Sequence, residues 1–278
     1  MTRRSVSFDV TRARILASAL LWRMRRERLR NFATVFLPFV LTVASVVALP
    51  LVSDDPDMNG AASSARLGLQ YGAHADAVAA GLLLVLMPGV IALHGTVGAG
   101  LAVRNVVGAE AGVGALEAML GAPYNPASIA GGLLSYVLVV TTGQWAVMSA
   151  LGALAVALSS ALHHDSLTPG AGYLTLALVL PLLATWAGAA LALLLNLLFP
   201  RLSQPGAGAL AGNGGGLVSL AATLPGFGAL LAMSIALDPL GPTRLLLYAG
   251  GVTVLITTGS LIGIARGFRP ESVLSSST

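Results

Sequence analysis

From Ala127 to Leu162 the chain runs for 36 residues without one charged side chain. A soluble domain spreads charge over every surface element, at about 25% of its residues. As a single helix the run would be ~54 Å long, whereas the hydrocarbon core of a bilayer is ~30 Å thick. It reads as one tilted helix that crosses the bilayer and projects from it at one or both ends. A hairpin would need a turn near Gly143, and neither a charge nor a proline marks one there.

Five further apolar runs have the length of a bilayer crossing. The sequence therefore predicts an all-α, polytopic membrane protein with six transmembrane helices, at about 32–52, 77–103, 127–162, 173–199, 217–237 and 244–265. Residues 1–31 form a basic N-terminal segment, 32–265 the six-span domain, and 266–278 a Ser-rich tail expected to lack structure. Pro88-Gly89 predicts a kink in the second span. Leu224-Pro225-Gly226 interrupts the fifth, either as a kink or as the end of a helix followed by a short re-entrant piece. Composition agrees: 56% of residues are hydrophobic, 9% are charged, and the mean hydropathy is +0.85.

Two residue types are missing. Without cysteine there is no disulfide and no thiolate metal site. Without lysine there is no phosphate-binding loop of the Walker A kind, so Gly206–Gly216 reads as a flexible loop. All 15 basic residues are arginine, and nine of them fall within the first 30 residues. The pI near 10.1 therefore points to a membrane surface rather than to nucleic acid. The N-terminal arginines interleave with Ile15, Leu16, Leu20, Leu21 and Trp22, as in a helix lying at the interface with its Arg stems snorkelling. No single apolar face emerges, so a disordered basic arm is the competing reading. This charged stretch is far too long for a secretory signal. With six spans, 13 arginines fall on the side of the two termini and only Arg66 and Arg244 on the other, which carries six Asp. The asymmetry predicts a multi-pass protein of the cytoplasmic membrane with both termini in the cytoplasm.

One polar-interrupted segment, Val103–Leu134, lies between the second and third runs. Val113, Leu116, Met119 and Leu120 fall on one helical arc, with Glu110 and Glu117 at its edge. Pro123 and Pro126 then stop this short helix. It is expected along the membrane surface, carboxylates to water. The segment resembles the first cytoplasmic loop of type-2 ABC exporter permeases. The matches are Glu110, Gly114, Leu116, Glu117, Met119, Leu120, Pro123 and Gly132. The departures are Ala115 for the usual Thr, Gly112 for a second acidic residue, and Leu133 for Lys.

The resemblance implies a permease subunit of an ATP-driven exporter that is not itself an enzyme. In that family the surface helix is a coupling helix that docks into an ATP-binding subunit. It implies ATPase contacts at Arg104, Glu110, Gly114, Leu116, Glu117, Leu120 and Pro123. It also implies two copies of an ABC ATP-binding subunit, which bind ATP and Mg, and a second permease subunit as homodimer or heterodimer. No cofactor is expected in this chain; membrane lipids are the further partner, and no nucleic acid is expected. On residues alone Glu110 and Glu117 read as a solvated face, and Arg104 as a positive-inside anchor.

Within the spans, His94, Gln144 and Asn196 are candidates for a translocation path, because polar groups at membrane depth often serve transport. Their structural alternatives are bonds to a carbonyl of a neighbouring helix for His94 and interhelical glue for Gln144 and Asn196. Thr141, Thr142 and Thr185 are expected to bond back to their own helices. Gly98-Ala99-Gly100 and Ala187-Gly188-Ala189-Ala190 permit close helix packing. His163-His164-Asp165 offers too few converging ligands for a metal. Hydrolase and metalloprotease signatures are absent. A secondary transporter or channel-like protein that works without ATP is the alternative function.

Overall fold

The computed structural model describes residues 9–23, 25–52, 78–112, 126–162, 169–199 and 216–267. These form seven helices: α1 (Val10–Arg23), α2 (Arg25–Val52), α3 (Val78–Gly112), α4 (Pro126–Leu162), α5 (Ala171–Leu198), α6 (Gly216–Leu231) and α7 (Leu237–Gly267). A π-helical turn, Ala232–Ala236, joins α6 to α7. Among the described residues there is no strand. Four helical stretches are long and apolar enough to cross a membrane: Leu83–Val107, Ser128–Ala161, Ala171–Leu198 and Val218–Gly267. A shorter apolar stretch, Phe32–Ser45, lies within α2. This is a polytopic helical membrane protein.

Contacts between helices fix their directions. Val35 of α2 approaches Gly98 of α3, and Phe39 packs edge-on against His94, so α2 and α3 are antiparallel. Gln144 of α4 meets Gly98 and Gly152 meets Met87, so α4 is also antiparallel to α3. On α5, Tyr173 bonds to Leu84 and Thr185 faces Gly95, so α5 runs with α3. On α6, Ala222 faces Gly100 and Leu230 faces Gly89, which is antiparallel again. Finally, Thr253 of α7 reaches Leu183 while Gly263 and Gly267 reach Leu194 and Leu198, parallel to α5.

The continuous 50-residue stretch Val218–Gly267 therefore turns back on itself. The reversal falls at Gly241, whose φ of 72° and ψ of 166° lie in a region essentially reserved for glycine. This is within the expected loop Asp238–Thr243.

The centre of the bundle is a seam of small residues where α3, α5 and α6 meet. A methyl group on Gly226 would lie 2.8 Å from the Leu93 Cα and 2.9 Å from the Ala92 carbonyl oxygen. One on Gly188 would lie 2.7 Å from the Ala222 carbonyl oxygen, and one on Gly89 2.8 Å from the Leu230 Cα. Backbones this close gain dispersion contacts along their whole length, which is how helices associate where lipid removes the hydrophobic drive. Ala99, Ala187, Ala189 and Ala190, from the two small-residue runs of the sequence, are all buried in this region.

Pro88 sits inside α3 without breaking it. Proline has no N–H, so the carbonyl four residues earlier, that of Leu84, loses its intrahelical donor. The buried Tyr173 hydroxyl of α5 donates to that carbonyl. The bond repairs the backbone at membrane depth, where an unpaired carbonyl is costly.

Two expectations change. The second span was expected to end at Val103, but α3 continues to Gly112, because no proline interrupts Arg104–Ala111 and a lone Gly108 weakens a helix without ending it. Arg104 and Glu110 therefore belong to the last turns of α3 and not to a separate surface helix. Pro225 does not interrupt α6, and the local irregularity falls later, at the π-turn. The N-terminal segment is, from Val10 onward, the helix expected and not the competing disordered arm: α1 buries Ala13, Ala17 and Leu20 and leaves Trp22 85% exposed. Residues 127–162 form the single long helix expected, with Pro126 in the first helical position that suits its fixed φ.

Candidate coupling end and intramembrane polar groups

The alternating directions bring one set of helix ends together. The start of α2, the end of α3, the start of α4, the end of α5, the start of α6 and the end of α7 share one end of the bundle. Arg104 is half-buried there, and Arg12, Arg14, Arg23 and Arg266 are exposed. At the opposite end the described charges are Asp238 and Arg244, both exposed.

Helix α1 is pinned at the arginine-bearing end by two local devices. The Asp9 carboxylate accepts the Arg12 backbone N–H at 3.2 Å, an N-cap, and pairs with the Arg12 guanidinium at 3.0 Å. The Asp9 backbone N–H donates to the Ser128 Oγ on the first turn of α4 at 3.1 Å. One turn on, Leu16 packs where Gly132 has no side chain: a methyl at Gly132 would lie 2.7 Å from the Leu16 Cδ2. Gly132, one of the motif positions, is thus the seat of α1 on α4.

Of the other motif positions, Glu110 lies in the last turn of α3. Gly114, Leu116, Glu117, Met119, Leu120 and Pro123 lie outside the described residues. So do loop 53–77, the His163-His164-Asp165 cluster, the glycine-rich run before Gly216 and the tail beyond Gly267. Among the described residues, no three His, Asp or Glu side chains converge as a metal site.

The three intramembrane candidates differ in kind. His94 is half-buried, and its Nδ1 stands 2.9 Å from the Val90 carbonyl oxygen one turn back on its own helix, with Phe39 against the ring. That Nδ1 contact comes from α3 itself and not from a neighbouring helix. Asn196 is buried, and its Nδ2 donates to the Ala192 carbonyl at 2.8 Å, again within its own helix. Gln144 is the exception. It is only 4% exposed, and neither polar atom of its amide has a hydrogen-bond partner among the described residues. It sits between α2, α3 and α4, against the bare backbone of Gly98. A buried unpaired amide costs about 1–3 kcal/mol, so it stands as the polar group least explained by stability.

The threonines bond back as expected: Thr141 to Val137 at 2.9 Å, Thr142 to Leu138 at 2.6 Å and Thr185 to Pro181 at 2.7 Å. Thr142 also accepts from the Trp186 Nε1–H at 3.1 Å, and the Trp145 Nε1–H donates to the Leu178 carbonyl at 3.0 Å. These two indoles clamp α4 to α5. Sequence reading did not pick out Tyr173 or the small-residue face of α4 that runs from Ser149 to Ala161. The Tyr173 pairing spans 89 positions and leaves no local trace. The α4 face was legible as small residues at helical spacing.

No family model, no curated protein and no solved structure matches this chain.

Proposed function

We propose that this chain is the transmembrane permease subunit of an ATP-driven ABC exporter of the type-2 kind. It would have six spans, with both termini in the cytoplasm. The carrying observation is the join between α3 and α4. A segment with the exporter-type pattern from Glu110 to Gly132 connects two antiparallel apolar helices, at the end of the bundle where the arginines gather. Its last glycine lies beneath Leu16 of α1, so the basic helix braces the base of α4 next to that join.

In this reading, residues 113–125 supply the apolar anchor for a cytoplasmic ATPase, chiefly Leu116 and Leu120, with Glu110, Glu117 and Arg104 at the rim. Closure of two ATP-bound partner subunits pushes on the ends of α3 and α4. Because α3 touches α2, α4, α5 and α6, its displacement tilts the bundle as a unit. Substrate then leaves toward the outside or the outer leaflet. Gln144 is the residue proposed to face that path, since its amide lacks an internal partner. No hydrolytic residue is required of this chain.

Co-purification tests the reading. Full-length protein expressed with a soluble Walker-A ATPase, where one is encoded beside it, should bring that ATPase down. Buried apolar anchors cost ~2 kcal/mol or more on truncation, whereas rim charges cost little. Leu116→Ala and Leu120→Ala should therefore weaken association more than Glu117→Ala, and Glu117→Arg should be worse than Glu117→Ala by adding repulsion or an unpaired charge. Wild-type association in the combined Glu117→Arg, Leu120→Ala variant removes the coupling segment and with it the main support for an exporter.

A further inference from the structure

A second feature does not depend on the exporter reading. In the half of the bundle away from the arginine-bearing end, α3, α4 and α5 do not close on one another. They leave a cavity of about 560 Å³. Its floor is the buried set Leu84, Met87, Ile91 and Tyr173. Its rim is open to the lipid-facing surface through Ala153, Ala157, Leu174 and Leu178, all exposed.

The sequence keeps this space open. Along α4 the lining positions Ser149, Gly152, Ala153, Val156, Ala157, Ser160 and Ala161 recur at the spacing of one helical face, and all but Val156 are small. Gly152 brings α4 against Met87, where a methyl would lie 2.9 Å from the Met87 Cγ. Beyond that contact, Val156 is the one branched side chain that α4 turns toward the gap, and the rest of its lining is too small to fill it.

We infer that this slot holds one acyl chain of a phospholipid from the leaflet at the arginine-poor end of the bundle. Shape comes first. The lining runs along α4 from Ser149 to Ala161, ~18 Å at 1.5 Å per residue, close to the ~15 Å hydrocarbon depth of one leaflet. The volume spread over that length describes a narrow, elongated slot and not a globular cavity. Orientation comes second, because the slot follows α4 across the bilayer as a lipid chain does. Chemistry comes third. The walls are apolar, and the Ser149 hydroxyl, buried without a hydrogen-bond partner, is the one orphaned polar atom on the lining. The open rim makes the bilayer, and not the aqueous phase, the source of the occupant.

The test uses full-length protein in phosphatidylcholine vesicles doped with a phospholipid bearing a diazirine on one chain. Photoadducts are mapped by peptide mass spectrometry. Adducts should concentrate on Met87, Leu174 and Leu178, above the level on Leu247 and Tyr248, which are exposed near the same end on α7. Ala157→Phe should abolish that excess and leave α7 labelling unchanged. Ala153→Leu, on the same rim, provides a second blocking variant should Ala157→Phe fail to fold. Slot labelling equal to that on α7, or an excess that survives blocking, overturns the proposal. A diazirine fatty acid that labels the slot while the phospholipid does not overturns the assigned source.

Discussion

Tyr173→Phe isolates one hydroxyl with almost no change in shape, and the structure says what that hydroxyl does. It donates to the Leu84 carbonyl, the acceptor that Pro88 leaves without a backbone donor. Leu84 and Tyr173 are both buried, so water does not replace the lost bond. Interhelical side-chain hydrogen bonds in membranes average only ~0.6 kcal/mol and reach ~1.7, because the unfolded reference state finds other partners. This bond should lie at the upper end, at about 1–2 kcal/mol, because its loss orphans a buried carbonyl.

The background decides the mechanism. In Pro88→Ala the new backbone N–H at position 88 returns to Leu84, so Tyr173→Phe should then cost well under ~1 kcal/mol. The measurement is a four-protein unfolding cycle in mixed detergent micelles, with the coupling energy read from the difference. Equal costs in the two backgrounds, or no cost in either, would refute the account of how this bundle tolerates proline at membrane depth.

Other expectations are as direct. Gln144→Leu removes a buried amide with two unpaired atoms and should raise stability by about 1 kcal/mol or more; unfolding midpoints check this, and a loss of stability would show that the amide is paired. If Gln144 lines the path, the same stabilised variant transports poorly. Gly226→Ala places a methyl 2.8 Å from the Leu93 Cα. The cost of overpacking, ~1–3 kcal/mol, should exceed the ≲1 kcal/mol gained from helix propensity; unchanged stability would contradict the close α3–α6 crossing. Ser275→Cys supplies the chain's only thiol, and an impermeant maleimide should reach it only after cells are opened; labelling from outside reverses the topology.

Much of the fold was legible because lipid imposes simple rules. The uncharged run from Ala127 to Leu162 had to be one helix, and it is one. Threonines at membrane depth had to bond to their own helices, and Thr141, Thr142 and Thr185 do. Glycine and alanine runs had to mark close crossings, and Gly188 does. What escaped reading had no local signature. Arg104 looked like a span end, but charge alone does not stop a helix, and α3 runs on to Gly112. Helix α1 showed no apolar face because its docking residues are Ala13, Ala17 and Leu20. Two of these three are alanines, too small to mark an apolar stripe, while Ile15 and Trp22 face outward. The Tyr173–Leu84 bond and the isolation of Gln144 depend on which helices become neighbours, and periodicity carries nothing about that. The candidate site was legible only as a motif, and six of its positions fall among residues 113–125, outside those described.

The central claim is that this chain converts ATP hydrolysis by a partner into transport. It is tested most directly in vesicles holding the full-length protein and its co-purified ATPase, with hydrolysis and substrate movement measured together. The account predicts hydrolysis stimulated by substrate, transport that stops when ATP is withheld, and loss of both in Leu116→Ala, Leu120→Ala protein that still inserts normally. Transport that continues at full rate without ATP or the partner would contradict it and identify a carrier or channel instead.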